Sequence, residues 1–110
     1  MKSDKVYLAH IRDEIEFVAN ATLGITFEQF IADETLKRAC VRSLEVIGEA
    51  VKNLSGEFKK RHTAIAWKQI AGMRDKLIHN YFGVDWRILW DAIGGKLPGL
   101  GREVRKLLDE

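Results

Sequence analysis

The chain has 110 residues, with 18 Lys and Arg against 16 Asp and Glu and a formal net charge of +2 at pH 7. This length fits one domain with a single core, and the near-neutral balance excludes tight nucleic-acid binding through net charge alone. The one cysteine excludes an intrachain disulfide, and no apolar run reaches the ~18 residues of a membrane span. With a polar N-terminus that lacks a signal-peptide core, these features predict a cytoplasmic protein with one domain over residues 1–110.

Apolar residues recur at helical spacing along nearly the whole chain, and no stretch alternates as a strand would. A first helix is predicted from about Asp4 to Asn20. A short helix is predicted after Thr26, because Thr26 and Gln29 have the spacing of a capping box. A long central helix is predicted from about Asp33 to Leu54, and its apolar face consists of Leu36, Cys40, Leu44, Ile47, Val51 and Leu54.

The central helix also has small or apolar residues outside that face. Val41 and Gly48 predict a second contact side, suited to a neighbouring helix or to a second subunit. Cys40 lies on the apolar face and is predicted to be a buried thiol. Ser55 and Gly56 are predicted to end the helix. The basic run at 59–62 that follows is predicted to be a solvated loop, and a contribution to RNA docking is the alternative.

Three further helices complete the prediction. The first spans about Ile65 to Phe82 and stops at Gly83. Asp85 then caps a helix that contains two tryptophans, and a last helix runs from about Leu97 to Leu108 with Pro98 in its first turn. The sequence therefore predicts an all-α antiparallel bundle with four to five main helices.

The clearest break in this periodicity lies in the helix predicted over 65–82. At ~100° per residue, Arg74 and Tyr81 fall in the middle of an apolar face, whose other members are Trp67, Ile70, Ala71, Leu77 and Ile78. A guanidinium there is costly unless it is paired or opens onto a polar cavity. His79 and Asp75, one turn apart, flank the same face. Function is expected at such violations, so these four residues are the candidate site.

The run from Arg74 to Tyr81 has the form R-x4-H-x-Y, and it resembles the signature of the HEPN superfamily, most closely its HepT-like toxin branch. The resemblance extends to flanking segments in the same order, at 42–50, 65–67, 84–86, Trp90 and 97–98. Three fixed residues recur by chance, whereas the ordered set is specific. One departure is Ala66, where the family usually has proline before the tryptophan.

The resemblance implies a dimer-forming HEPN-like bundle that cleaves RNA without a cofactor or a metal. It implies a toxin of a type VII toxin–antitoxin pair, with its active site in a composite cleft at the two-fold interface of a homodimer. It also implies a cognate minimal nucleotidyltransferase as antitoxin, which transfers AMP from ATP to Tyr81. Arg74 and His79 are the catalytic residues that this resemblance assigns.

The residue types suit that chemistry. Metal-free RNA cleavage needs a group that takes the 2′-hydroxyl proton, and histidine has an unperturbed pKa of ~6.5. It also needs a group that holds the phosphate charge, which arginine does through two parallel hydrogen bonds. His79 and Arg74 fit these roles. Asp75 is placed to fix the imidazole tautomer of His79, although the same spacing is common in solvent-facing pairs.

Other interpretations of these residues stay open. Arg74 is equally suited to a structural ion pair with Glu45 or Glu49, His79 to helix capping or packing, and Tyr81 to the core with its hydroxyl at the rim. His10 and His62 lack metal-ligand partners at useful spacing and are predicted to be ordinary surface or packing residues. The three tryptophans are predicted to be core residues and not platforms for base stacking. On an ideal helix Arg74 and His79 point ~140° apart, so they meet through the reach of the arginine, through unwinding, or through a symmetry mate. The alternative function is a non-catalytic helical partner, or substrate-binding subunit, of a nucleotidyltransferase.

Overall fold

A computed structural model describes residues 3–77 and 83–110, and at Arg74 and Leu77 it describes the backbone alone. The described residues contain seven helices, and two of them are short. They are α1 (Asp4–Ala21), α2 (Phe27–Ala32), α3 (Glu34–Asn53), α4 (Gly56–Arg61), α5 (Trp67–Leu77), α6 (Trp86–Gly94) and α7 (Lys96–Leu108). The predicted all-helical fold is confirmed.

Side-chain caps explain where several helices begin. Thr26 Oγ1 accepts from the Gln29 backbone N–H at 3.1 Å, and the Gln29 side chain accepts from the Thr26 N–H at 2.8 Å. Asp33 and Asp85 accept from backbone N–H groups three residues later, at 3.0 and 3.1 Å. Each bond satisfies a donor that the first turn of a helix leaves unpaired. The predicted capping box and the predicted cap at Asp85 are confirmed.

The solvated loop predicted at Lys59–His62 is wrong, because Lys59 to Arg61 form the last turn of α4. The Asp4 carboxylate accepts from the backbone N–H and the hydroxyl of Ser55, both at 2.8 Å, and Ser55 Oγ accepts from the Phe58 N–H at 3.1 Å. Phe58 is then buried against the core. Cations in a last turn interact favourably with the C-terminal end of the helix.

The core lies where α1, α3 and α7 pack together. The start of α1 meets the end of α3 through Asp4 and Ser55, and it meets the C-terminus through a Lys5 Nζ bond to the Glu110 carbonyl oxygen of 3.2 Å. Both neighbours therefore run antiparallel to α1. The apolar faces of α1 and α3 supply nearly half of the buried hydrophobic side chains of the described residues: Leu8, Ile11, Ile15, Val18, Cys40, Leu44, Ile47, Val51 and Leu54.

The two positions that predicted a second contact side of α3 have little exposed surface. Gly48 is buried and Val41 packs against the core. Both alternatives for this side, a neighbouring helix and a second subunit, stay open. Cys40 has no exposed surface, and burial raises the pKa of its thiol to about 11, with the negative charge of Asp33 adding to the shift.

An aromatic cluster joins α2 to α6. Phe30 is fully buried, and its ring centroid lies 4.9 Å from that of Trp90 and 6.2 Å from that of Trp86. The Lys37 ammonium lies 4.8 Å from the Trp86 ring centroid, a cation–π distance. Both tryptophans are therefore packing residues, as predicted. Across the described residues, no helix is both long and apolar enough to cross a membrane.

Candidate functional site

The helix that carries the candidate site, α5, returns antiparallel along α3. Its first residue, Trp67, is 6% exposed, and its indole N–H donates to the His62 carbonyl oxygen at 3.0 Å. The Trp67 ring centroid also lies 6.0 Å from that of Phe58 in α4, which follows the end of α3. Because α5 starts at that end, its later residues run towards the middle of α3, with which α5 makes most of its contacts.

Position 74 lies on the inward side of α5. Trp67 and Met73 are buried, and Ile70 and Ala71 pack against the core. Residues three and four apart share one side of a helix, so the backbone of Arg74 continues the side formed by Ile70 and Ala71. The hydrophobic arc predicted around this position is confirmed for its members in the described part of the chain.

One groove lies beside this inward side, between α1, α3 and α5. We call it the α3 groove; it has a volume of about 590 Å³, and its lining includes Tyr7, His10, Arg42, Glu45, Glu49, Lys52 and Ala71. Among the described lining residues, the charged ones are two cations and two carboxylates. Ala71 is one helical turn before Arg74, ~4.5 Å along the axis. The groove therefore adjoins the candidate site and is close to charge balance.

A second groove lies on the next side of α5, against α4. We call it the basic cleft; its volume is about 560 Å³, and it is lined by Lys59, Thr63, Ile65, Ala66, Trp67, Lys68, Gln69, Gly72 and Lys76. Three of these residues are lysines, and none of the described lining residues is acidic. Sequence reasoning missed this cleft, although Lys68, Gly72 and Lys76 recur at the four-residue spacing that places them on one side of a helix.

The profile of the family described as "Ribonuclease HepT-like" matches residues 11–107 of this chain. That is most of its length, and it includes the whole described lining of the basic cleft, most of that of the α3 groove, and the R-x4-H-x-Y run.

The chain belongs to the HepT-like ribonuclease family.

Relatives from bacteria and archaea agree with this family. A protein named "Putative RNase" from Caldanaerobacter subterraneus subsp. tengcongensis is 53% identical over 110 residues, which cover 100% of this chain and 98% of that protein. A protein named "Probable ribonuclease HepT" from Thermococcus cleftensis is 45% identical over 106 residues, which cover 96% of each chain. No solved structure matches this chain.

The predicted HepT-like site falls only partly within the described residues. Asp75 lies on α5 and is exposed. The side chain of Arg74 and the whole of His79 and Tyr81 lie outside the described residues, so their assignment stays a prediction, as does the alternative of an ion pair between Arg74 and Glu45. The described residues contain no group of three or more His, Cys, Asp or Glu that could hold a metal ion.

The other two histidines have the ordinary surroundings that the sequence predicted. His62 ends α4, and its ring centroid lies 4.5 Å from that of Phe58. His10 is exposed on α1 and borders the α3 groove. Neither of them enlarges the candidate site.

Proposed function

We propose that this HepT-like protein is a metal-independent endoribonuclease and the toxin of a type VII toxin–antitoxin pair. The observation that carries the proposal is the Arg74 and His79 pair, which lies inside the matched family region, residues 11–107. The place of Arg74 in the middle of an apolar face of the sequence supports it, because a cation at such a position needs an anionic partner. A phosphate of bound RNA is such a partner.

In the proposed reaction His79 takes the proton of the 2′-hydroxyl. The 2′-oxygen attacks the adjacent phosphorus, the bond from phosphorus to the 5′-oxygen breaks, and the products are a 2′,3′-cyclic phosphate and a 5′-hydroxyl. Arg74 holds the non-bridging oxygens, where charge builds in the transition state. The leaving 5′-oxygen takes a proton from water, and His79 returns the proton it has taken to the solvent.

The proposed site is composite and lies at the two-fold interface of a homodimer. Its support is the ~140° angle between Arg74 and His79 on an ideal helix, which a symmetry mate resolves. Mixing inactive Arg74→Ala and His79→Ala subunits should then restore activity, because one site of the mixed dimer keeps both residues. Light scattering that finds a monomer at tens of micromolar, or a mixture that stays inactive, would contradict the composite site.

The decisive comparison for the catalytic pair is purified wild type against Arg74→Ala and His79→Ala. Each variant should lose RNA cleavage on the order of 100-fold or more, because the proton carrier or the phosphate clamp is gone. Circular dichroism should show unchanged helicity and cooperative unfolding. If His79→Ala cleaves as fast as wild type, the nuclease mechanism is wrong, and the alternative of a non-catalytic partner of a nucleotidyltransferase replaces it.

The proposed control of the toxin is AMP transfer to Tyr81 by a cognate minimal nucleotidyltransferase. The phenolic oxygen forms a bond to the α-phosphorus of ATP, its proton departs, and pyrophosphate leaves. Tyr81 is two residues beyond His79, so the added phosphodiester competes with RNA for Arg74. Intact-mass analysis should find additions the size of AMP on wild type and none on Tyr81→Phe. Additions that persist on that variant would place the modification elsewhere.

A further inference from the structure

The basic cleft carries an excess of positive charge in a chain whose positive and negative charges are nearly balanced. The chain as a whole carries a formal net charge of +2, whereas the described lining of this cleft has three lysines and no acidic residue. The exposed Lys60 and Arg61 on α4 add two cations to the same run as Lys59. A surface with this local excess attracts a polyanion even when the net charge of the protein is small.

The lysines of α5 form a line with an open space between them. Lys68 and Lys76 are two helical turns apart, ~12 Å along the axis, and both are exposed. Gly72 lies midway between them, and a Cβ built at this position meets nothing within 4 Å. The chain of a polyanion that lies along the cleft can therefore approach the backbone of α5 between the two ammonium groups.

The other members of the lining favour a phosphate backbone over bases. Trp67 is 6% exposed and packs on Phe58, so its ring is not free to stack on a base. Lys59 is partly held in place, because its ammonium donates to the Val51 carbonyl oxygen at 3.4 Å. Lys68 and Lys76 are thus the main exposed cations of the lining, and lysine binds phosphate as a point charge without reading sequence.

We propose that the basic cleft binds the sugar–phosphate backbone of the RNA strand on one side of the cleavage site. This inference rests on the proposed nuclease function and adds to it the path of the substrate. Lys76 is three residues before His79 in the sequence, so the line formed by Lys68, Gly72 and Lys76 leads towards the end of α5 that precedes His79 in the chain. The contact is independent of sequence, and it serves long strands more than short ones.

The test measures RNA binding apart from cleavage, in a His79→Ala background with a labelled single-stranded RNA of about 20 nucleotides. Adding Lys68→Glu and Lys76→Glu should weaken binding by roughly tenfold or more at low salt. The slope of the logarithm of the RNA-binding constant against the logarithm of the salt concentration should decrease in magnitude by about 0.7 for each lysine that contacts a phosphate. Replacing both lysines with arginine, which keeps the charge, should retain binding. Lys106→Glu makes the same charge change at an exposed lysine on α7 and should have no effect.

Gly72 offers a second test that removes no lysine. Gly72→Glu and Gly72→Gln introduce side chains of nearly equal size. The Cβ atom of either one meets nothing within 4 Å. Both obstruct the cleft, but only the glutamate repels phosphate. RNA binding should therefore fall in the order Gly72→Ala, Gly72→Gln, Gly72→Glu, while all three variants stay folded.

Three results would overturn the proposal. The first is unchanged affinity and unchanged salt dependence in the double glutamate variant. The second is an equal loss of binding in that variant and in Lys106→Glu. The third is normal RNA binding with loss of binding to the nucleotidyltransferase, which would make the cleft a protein interface. A wild-type protein that binds RNA through these lysines but does not cleave it would contradict the proposed nuclease function and leave the assigned path intact.

Discussion

The two grooves beside α5 are nearly equal in volume, about 590 and 560 Å³, but they differ in what surrounds them. The described lining of the α3 groove has two basic and two acidic side chains, so the charges of these residues largely compensate each other. The basic cleft has lysines alone as its charged described lining. Neighbouring residues of α5, Ala71 and Gly72, line one groove each. Size therefore says little about which groove binds a polyanion, whereas the balance of charge does.

Replacing the aromatic residue of each groove with alanine should give the largest difference in stability between the two grooves. Trp67 borders the basic cleft and is 6% exposed, whereas Tyr7 borders the α3 groove and is only half-buried. Trp67→Ala should lower the free energy of unfolding by about 3–5 kcal/mol, because it leaves a cavity and removes the indole hydrogen bond to the His62 carbonyl oxygen. Tyr7→Ala should cost clearly less. Urea denaturation of both variants checks this, and equal losses would mean that both grooves have equally rigid walls.

The free energy of unfolding should depend on pH through the core face of α3, which carries a buried thiol, more than through its groove face. Cys40 is fully buried and its thiol pKa is raised to about 11 from an ordinary 9.0. The folded state therefore keeps this proton where the unfolded chain loses it, and stability should fall as the pH rises from 9 to 11. Urea denaturation at several pH values should show a steeper fall for wild type than for Cys40→Ala. Identical curves would contradict the raised pKa.

Charge reversal of one lysine in each groove tests the electrostatic contrast directly. Lys68→Glu in the basic cleft should weaken RNA binding several-fold, because no acidic group in the described lining already offsets it. Lys52→Glu makes the same change in the α3 groove, where Glu45 and Glu49 already lie, and should change binding by less than about twofold. If Lys52→Glu has the larger effect, the RNA follows the α3 groove instead.

The smallest expected effect is a change in stability at Gly72. A substitution there alters the stability of α5 without removing a lysine of the basic cleft. A glycine inside a helix makes a protein less stable than an alanine at the same position, by about 0.5–1 kcal/mol. An added Cβ here meets nothing within 4 Å. Gly72→Ala should therefore stabilise the protein by that amount. A destabilised variant would show that the space beside Gly72 is filled in solution.

Local sequence features predicted most of this fold. The apolar faces of α1 and α3 and the caps at Thr26 and Asp85 depend on residues a few positions apart, and periodicity detects such patterns. The helix α4 was missed although its cap is local, because it has only six residues and its capping residue, Ser55, is held by a contact with Asp4, which is far from it in the chain.

The candidate site was predictable only in part, for a similar reason. Arg74 stood out because it interrupts the apolar face of one helix. The basic cleft did not stand out, because Lys59 belongs to α4 while Lys68 and Lys76 belong to α5. A cleft between two helices is set by how they pack, and one helical wheel gives no information about that.

The central claim is that Arg74 and His79 cleave RNA through its 2′-hydroxyl. The most direct measurement compares cleavage of one RNA oligonucleotide with that of the same sequence made of 2′-deoxynucleotides, with EDTA present throughout. The account predicts that wild type cleaves only the RNA, that its products end in 2′,3′-cyclic phosphate, and that His79→Ala is slower on the order of 100-fold or more. Cleavage of the deoxy strand, or loss of all cleavage in EDTA, would contradict it.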